Sequence, residues 1–488
     1  MAFPSFDLGV TDLGMTAAPV ARLRPRQWQS RLIQLLRARL LNTQPGGHDV
    51  LIHAGPGAGK TLGALLSFHT LQREQRLDRF LVFCHRSSIA RQWLEAAGRL
   101  NLRLREWDPE QGLAALGDQG GWDGLLLSYQ SAGRHRSHLE AGLPEAGLGR
   151  WLAIADEVHH LGLDPEEPEA AAWGFAFSQL TAGAQLRLGL TGTPFRADNL
   201  AFCAARRVRI QEGDAVIERI APDLSVEPRQ LILAGDVRPL EFRFQDGWVE
   251  HGRPQAGDDT ETSPLSAESR ESWRARNLRR AIQLGDTSSI ALRVLLNARK
   301  RLERVRTSHP EAGGLVIARD IAHARGITGL LEEEGDRVHL VHSQDPEAAA
   351  RLAAFQAGEA DWLVSIDMCA EGFDAPRLRV VAYLTTVVTR SRFVQAITRA
   401  VRMDGHRAGV EAVPREASFV FAPADPLLIR YASSWSLSEP YLIRSKLVAP
   451  LSDSGGLARG GQLPLEAVDE RLGEVIRMGG PQLPGFLQ

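Results

Sequence analysis

Short apolar runs recur along the chain, each followed by a stretch whose apolar residues fall at helical spacing. Val50-Leu51-Ile52, Arg79 to His85, Gly124 to Gln130, Trp151 to Ala155 and Gln185 to Leu190 read as buried strands. Trp28, Leu32, Leu35 and Leu36 predict a helix running to Leu40, and Ser88 is a candidate cap for a helix through Trp93. From about 204 to 285 the pattern weakens: Pro239 to Phe244 reads as a strand and 252–268 as a Gly-, Asp-, Thr-, Pro- and Ser-rich loop. The alternation then resumes. A helix is predicted over Ile290 to Val305, and strands over Gly314 to Ala318, Val338 to Val341, Trp362 to Ile366, Val380 to Leu384 and Ser418 to Phe421. Further helices begin near Asp320 and Ala348, and one continuous helix carries Phe393 to Arg402. Residues 436–488 predict a small appendage with a helix near Leu465 to Arg477. The reading is an α/β protein with two doubly wound parallel-sheet domains. Its divisions are an irregular lead-in over 1–20, a first domain over 21–203, a connector with its own insertion over 204–289, a second domain over 290–435 and the appendage.

Composition narrows the class. The 488 residues are 44% hydrophobic and 24% charged, which is ordinary globular usage, and the net charge of −2 carries no global basic signature. A local basic cleft remains open. Cys84, Cys203 and Cys369 are odd in number and scattered, which implies a reducing compartment without a disulfide frame or zinc spacing. No apolar stretch approaches spanning length and no secretion signal opens the chain, so a cytoplasmic protein without membrane partners is expected.

The chemistry concentrates in Ala54-Gly55-Pro56-Gly57-Ala58-Gly59-Lys60-Thr61, between an apolar strand and a helix-compatible run. Glycines there let backbone N–H groups face a phosphate, and the helix N-terminus adds its dipole. Lys60 suits the β/γ-phosphates of ATP and Thr61 suits Mg²⁺. Lys60 is one of three lysines in the chain, with Lys300 and Lys446, so a compact ammonium is rare here and falls where phosphate asks for one. The Trp151 to Ala155 strand delivers Asp156, placed to hold Mg²⁺ through water, and Glu157, placed to polarise an attacking water. Gln27 just upstream of the P-loop can read an adenine edge, though a surface glutamine at a helix start is the plainer reading. The Thr191-Gly192-Thr193-Pro194 turn can sense nucleotide state through its hydroxyls. His159 and His160 lack a third ligand for zinc.

Together these stretches resemble the superfamily 2 helicases and translocases over roughly 22–203 and 290–422. Ala54 to Thr61 is similar to motif I, whose family form begins with Ala. Asp156-Glu157-Val158-His159 resembles motif II, and Thr191 to Pro194 resembles motif III, commonly Thr-Ala-Thr-Pro. Glu371-Gly372-Phe373-Asp374-Ala375-Pro376 resembles motif V. Gln395-x-x-Thr398-Arg399-x-x-Arg402 resembles motif VI, with Thr398 where Gly is usual. Arg24-Pro25-Arg26-Gln27 resembles the adenine-reading element. The resemblance implies two tandem RecA-like domains with ATP between them, Gly372 and Asp374 near the nucleotide, and Gln395 with the fingers Arg399 and Arg402 in catalysis. It also implies coupling through His159, Thr191 and Thr193, and nucleic-acid contacts at Arg86, Ser128, Tyr129, Thr385 and Thr386. Motif wording favours DNA over RNA and places the chain nearest to repair and restriction translocases. An RNA helicase, a nucleic-acid-binding switch without unwinding, and the motor of a restriction or defence complex stay open alternatives. No carboxylate stands two residues before Lys300 or Lys446, so the nuclease signature is missing and cleavage would need a protein partner. A monomer is compatible with everything read here.

Overall fold

A computed structural model describes residues 25–41, 48–85, 87–113, 121–161, 170–192, 206–212, 215–252, 261–268, 270–285, 289–366, 375–403, 405–435 and 474–479. Strands β1 to β9 belong to one compact unit and β10 to β18 to a second.

In the first unit, β1 (Asp49–Ala54), β2 (Arg79–Cys84), β3 (Leu104–Glu106), β4 (Gly124–Ser128), β5 (Trp151–Asp156) and β6 (Leu186–Thr191) form a parallel sheet. A hairpin of β7 (Arg206–Glu212) and β8 (Ala215–Ala221) follows, and β9 (Leu224–Val226) then adds a seventh parallel strand. The sheet order is β3-β4-β2-β5-β6-β1-β9. β1 and β5 are buried along their whole length. Strands covered on both faces read as continuous apolar runs, which is why they were legible.

The second unit has β10 (Leu240–Gln245), then a three-stranded antiparallel sheet begun by β11 (Trp248–Gly252) and β12 (Glu261–Pro264). β13 (Gly313–Ala318), β14 (Val338–Val341), β15 (Trp362–Ser365), β16 (Leu378–Leu384) and β17 (Ser418–Pro423) complete a parallel sheet in the order β10-β17-β16-β13-β15-β14. β18 (Glu474–Gly479) pairs antiparallel with β11.

Several expectations change. The segment 204–289 is no single insertion: β9 joins the first sheet and β10 edges the second. Residues near Arg477 form β18 rather than a helix, because pairing with β11 satisfies their backbone. The helix Ser87–Gly98 begins before Ser88, so Ser88 is not its cap. β4 ends at Ser128, whose hydroxyl accepts from the Ser131 N–H at 3.0 Å and caps the helix Tyr129–Arg134. The continuous helix expected through Arg402 stops at Ile397. A 3₁₀ turn, Thr398–Val401, follows, and Arg402 is extended at φ −70° and ψ 150°. Arg399 and Arg402 therefore do not share one helical face. The Thr398 hydroxyl reaches the Gln395 carbonyl at 3.3 Å at the changeover.

Candidate nucleotide site

β1 places Ala54 at its buried end, and the loop Gly55 to Gly59 leads straight into the helix Lys60–Arg73. Gly59 is the N-cap at φ +80°, a left-handed conformation that a side chain strains. No side chain caps that helix and its first turn has no acid, so its leading N–H groups are left for an outside acceptor. Lys60 opens the helix, and half-buried Thr61 follows it.

Gln29, rather than Gln27, holds this loop. Gln27 is exposed at the first position of the helix Gln27–Leu40, while Gln29 is buried. The Gln29 amide donates to the Gly59 carbonyl at 3.0 Å and accepts from the Arg26 N–H at 2.8 Å. The sequence carried a signal for this: Gln29 shares the apolar stripe of Leu32, Ile33 and Leu36.

The acidic pair ends β5. The Glu157 carboxylate accepts from the Lys60 ammonium at 2.6 Å and from the Gly192 N–H at 3.2 Å. Its backbone sits at φ +49°, which costs a non-glycine residue about 1–2 kcal/mol. A Cβ on Gly192 would lie 2.6 Å from the Lys60 nitrogen, so the alanine common at this place in motif III would displace the ammonium. Asp156 lies deeper, 6% exposed. The Trp93 indole donates to its carboxylate at 2.8 Å, the Glu157 N–H at 3.0 Å, and the Tyr129 hydroxyl donates to its main-chain carbonyl at 2.9 Å. Burial, then the neighbouring Glu157 charge, push the Asp156 carboxyl up to about 6, against Lys60 and the Trp93 and Glu157 N–H groups. His53 on β1 is held down to about 4 by burial and then by Lys60, with Glu157 opposing, so it is neutral near pH 7. Its Nδ1 lies 3.0 Å from the Ser225 hydroxyl on β9.

The other expected residues divide. Tyr129 was expected on a nucleic-acid face. It is 1% exposed, its hydroxyl is bound inside, and burial raises its pKa well above the usual tyrosine value. A strand-edge tyrosine became the first residue of a helix, which turned its ring into the core. Thr385 is likewise buried, its hydroxyl accepting from the Val387 N–H at 3.3 Å, whereas Thr386 is half-buried. Thr191 is buried at the end of β6. Arg399 is 6% exposed, and Gln395 and Arg402 are half-buried. Arg86, Thr193, Gly372 and Asp374, and the side chain of His159, lie outside the described residues. His160 stacks on His85 with ring centres 4.1 Å apart, and among the described residues no three His, Cys, Asp or Glu groups form a metal cluster. No helix among them is long and apolar enough to cross a membrane.

Comparison with known proteins was made against this geometry. Residues 22–196 match the family described as the type III restriction enzyme res subunit, and residues 297–404 match the helicase conserved C-terminal domain. An uncharacterized protein of Mycobacterium tuberculosis is 31% identical over 425 residues, covering 86% of this chain and 64% of its own length. One of Mycobacterium leprae is 31% identical over 425 residues, covering 86% and 65%. The chain thus spans just under two thirds of these curated relatives. Among solved structures, a fragment described as the HsdR subunit of a Vibrio vulnificus type I restriction enzyme aligns over 85% of this chain and 67% of its own, with a TM-score of 0.52 at 17% identity, a likeness of fold. The two family matches, laid over two parallel-sheet units, indicate a superfamily 2 helicase-like protein with a restriction-enzyme flavour.

Proposed function

We propose that this protein is a nucleic-acid-dependent ATPase that moves along DNA. The observation that carries the reading is the Lys60–Glu157–Gly192 contact beside the buried Asp156 carboxylate. Without nucleotide, the ammonium and the carboxylate neutralise each other. A γ-phosphate competes for Lys60, and its arrival frees Glu157 to orient and deprotonate water. The donor set fits a hard divalent cation: the Thr61 hydroxyl and the Asp156 carboxylate are oxygen ligands of the kind Mg²⁺ takes, and the cation would neutralise charge developing on the phosphates. The uncapped turn after Gly59 fits the phosphates themselves. Gln27, exposed at its helix start, is assigned to the adenine edge. Arg399 and Arg402 are assigned to transition-state charge, since guanidinium groups stay ionised at working pH and fork onto phosphate oxygens.

The preference for DNA rests on motif wording and on the restriction-enzyme family matched by the first unit. A partner chain of a restriction or defence complex would supply any nuclease.

The test is ATP hydrolysis measured with single-stranded DNA, duplex DNA and RNA in turn, with Lys60→Ala, Glu157→Gln and Arg402→Ala alongside. Lys60→Ala should weaken nucleotide binding. Glu157→Gln should bind nucleotide and stop turnover. Arg402→Ala should bind nearly normally and lose about 10³-fold or more in single-turnover rate. Wild-type hydrolysis in Glu157→Gln, or no stimulation by any nucleic acid, rejects the reading.

A further inference from the structure

The helix Ile290–Arg306 packs on β17 and β10 of the second unit, and a cleft of about 390 Å³ opens between it and the sheet edge. β10 is the outermost strand there, with Arg243 level with Phe421 of β17. Facing pairs on adjacent strands share a side of the sheet, so Arg243 and Phe421 both look toward the helix. The helix answers with Lys300, Arg301 and Arg304.

The cations of this helix are sorted by side. Arg299 meets Asp336 at 2.7 Å, Glu303 at 3.0 Å and Glu334 at 3.4 Å, and Arg306 meets Asp361 at 2.8 Å. On the cleft side, Arg243 is paired with Glu241. Lys300, Arg301 and Arg304 have no carboxylate partner among the described residues, and Arg301 is instead held over the Phe419 ring at 4.4 Å. The dipole at the helix C-terminus accounts for cations in the last turn, such as Arg304, but not for Lys300 further back. Lysine is also scarce in this chain, with three in all.

We propose that this cleft is a second nucleic-acid contact, which grips successive phosphates of one strand. The proposal rests on the reading of the chain as a nucleic-acid motor. Lys300 and Arg304 lie one turn apart on one helix face, about 6 Å along the axis, a step comparable with neighbouring phosphates of an extended strand. Phosphate contacts of this kind hold a strand without reading it. The floor suits a nucleic acid better than an acidic peptide. The Arg301 guanidinium, held over Phe419, offers a flat face to a base, and the Asn297 and Gln245 amides, 3.5 Å apart, offer donors and acceptors. These residues lie outside every motif assigned to nucleotide chemistry, so the grip is separable from hydrolysis.

The test uses the full chain and a fluorescent single-stranded oligonucleotide, with affinity read by anisotropy across a salt series. Lys300→Ala/Arg304→Ala should flatten the slope of log affinity against log salt by about 1.5, since each phosphate contact contributes about 0.7–0.9. Binding at the lower salt concentrations should weaken by tenfold or more, and ATP hydrolysis without nucleic acid should stay at the wild-type rate. A photoreactive amino acid at Asn297 should cross-link to the strand, and one at exposed Glu333 should not. An unchanged slope and affinity in the double variant, or no cross-link at Asn297, overturns the proposal while leaving the motor reading intact. Displacement of the oligonucleotide from Asn297 by polyglutamate at lower concentration than by unlabelled DNA assigns the cleft to an acidic protein and overturns it too. If the wild-type chain binds no nucleic acid at any salt, the motor reading itself fails and the proposal falls with it.

Discussion

Asp156 carries a cost in the resting fold. Its carboxyl titrates near 6 in the folded state because burial and Glu157 disfavour its charge. A raised pKa favours the protonated form. The stability it lends is full below the ordinary value of 3.8 and is lost as pH rises through about 6. Above that point the nucleotide-free protein carries the whole cost of a buried charge. His53 has the opposite sign: its folded pKa of about 4 means stability is lost as pH falls from 6.5 toward 4. Comparing Asp156→Asn with wild type at each pH largely cancels the His53 contribution, present in both. The variant, free of nucleotide and metal, should melt a few degrees higher at pH 7.5, each kcal/mol being worth about 2–4 °C in a domain of this size. That gap should shrink as pH falls below about 6 and close only below 3.8. A variant that melts lower than wild type at pH 7.5 would mean that its hydrogen bonds outweigh the charge.

Two helices reach Asp156 at once: Ser87–Gly98 through the Trp93 indole and Tyr129–Arg134 through the Tyr129 hydroxyl. Each starts beside a residue expected to meet nucleic acid, Arg86 and Ser128. A small shift of the first helix would move the donor on the carboxylate, and a shift of the second the donor on the Asp156 main-chain carbonyl. Trp93→Phe keeps the buried ring and removes the N–H. We expect it to retain nucleotide binding without metal and to need several-fold more Mg²⁺ for half-maximal tightening, read by calorimetry. Wild-type Mg²⁺ dependence would leave Trp93 as packing alone. The parallel strands were legible because burial on both faces writes apolar runs into the sequence, and the P-loop because glycine, lysine and an apolar strand occur together. Other elements were not. β9 is three residues long and exists by pairing with β1, and β18 exists by pairing with β11; neither has a local pattern strong enough to announce it. The break after Ile397 was foreshadowed only by Thr398, where the family usually has glycine. Tyr129 was misplaced by a strand read two residues too long, enough to exchange surface for core.

At the scale of the molecule, the two large sheets are both parallel throughout, yet one edge strand of each is drawn from the stretch first read as a connector. β9 covers the far side of β1, the Asp223 carboxylate accepts from the Leu51 N–H at 2.9 Å, and Ser225 partners His53. A first module cut at 203 would therefore lose more than a linker. We expect residues 22–226 to give a soluble fragment with a single cooperative melt, and residues 22–203 to scatter light or elute as aggregates. Equal solubility and equal midpoints for the two would make β9 dispensable. The same strand bears on synthesis. A chain that has passed Thr191 but not reached β9 has already made the P-loop and both its carboxylates, but the strand beneath the P-loop still offers a row of unpaired N–H and C=O groups, a template for another chain. The nucleotide-binding half can close only after Val226 has emerged, so the interval between Thr191 and Val226 is when the nascent protein is most open to mispairing or to a chaperone.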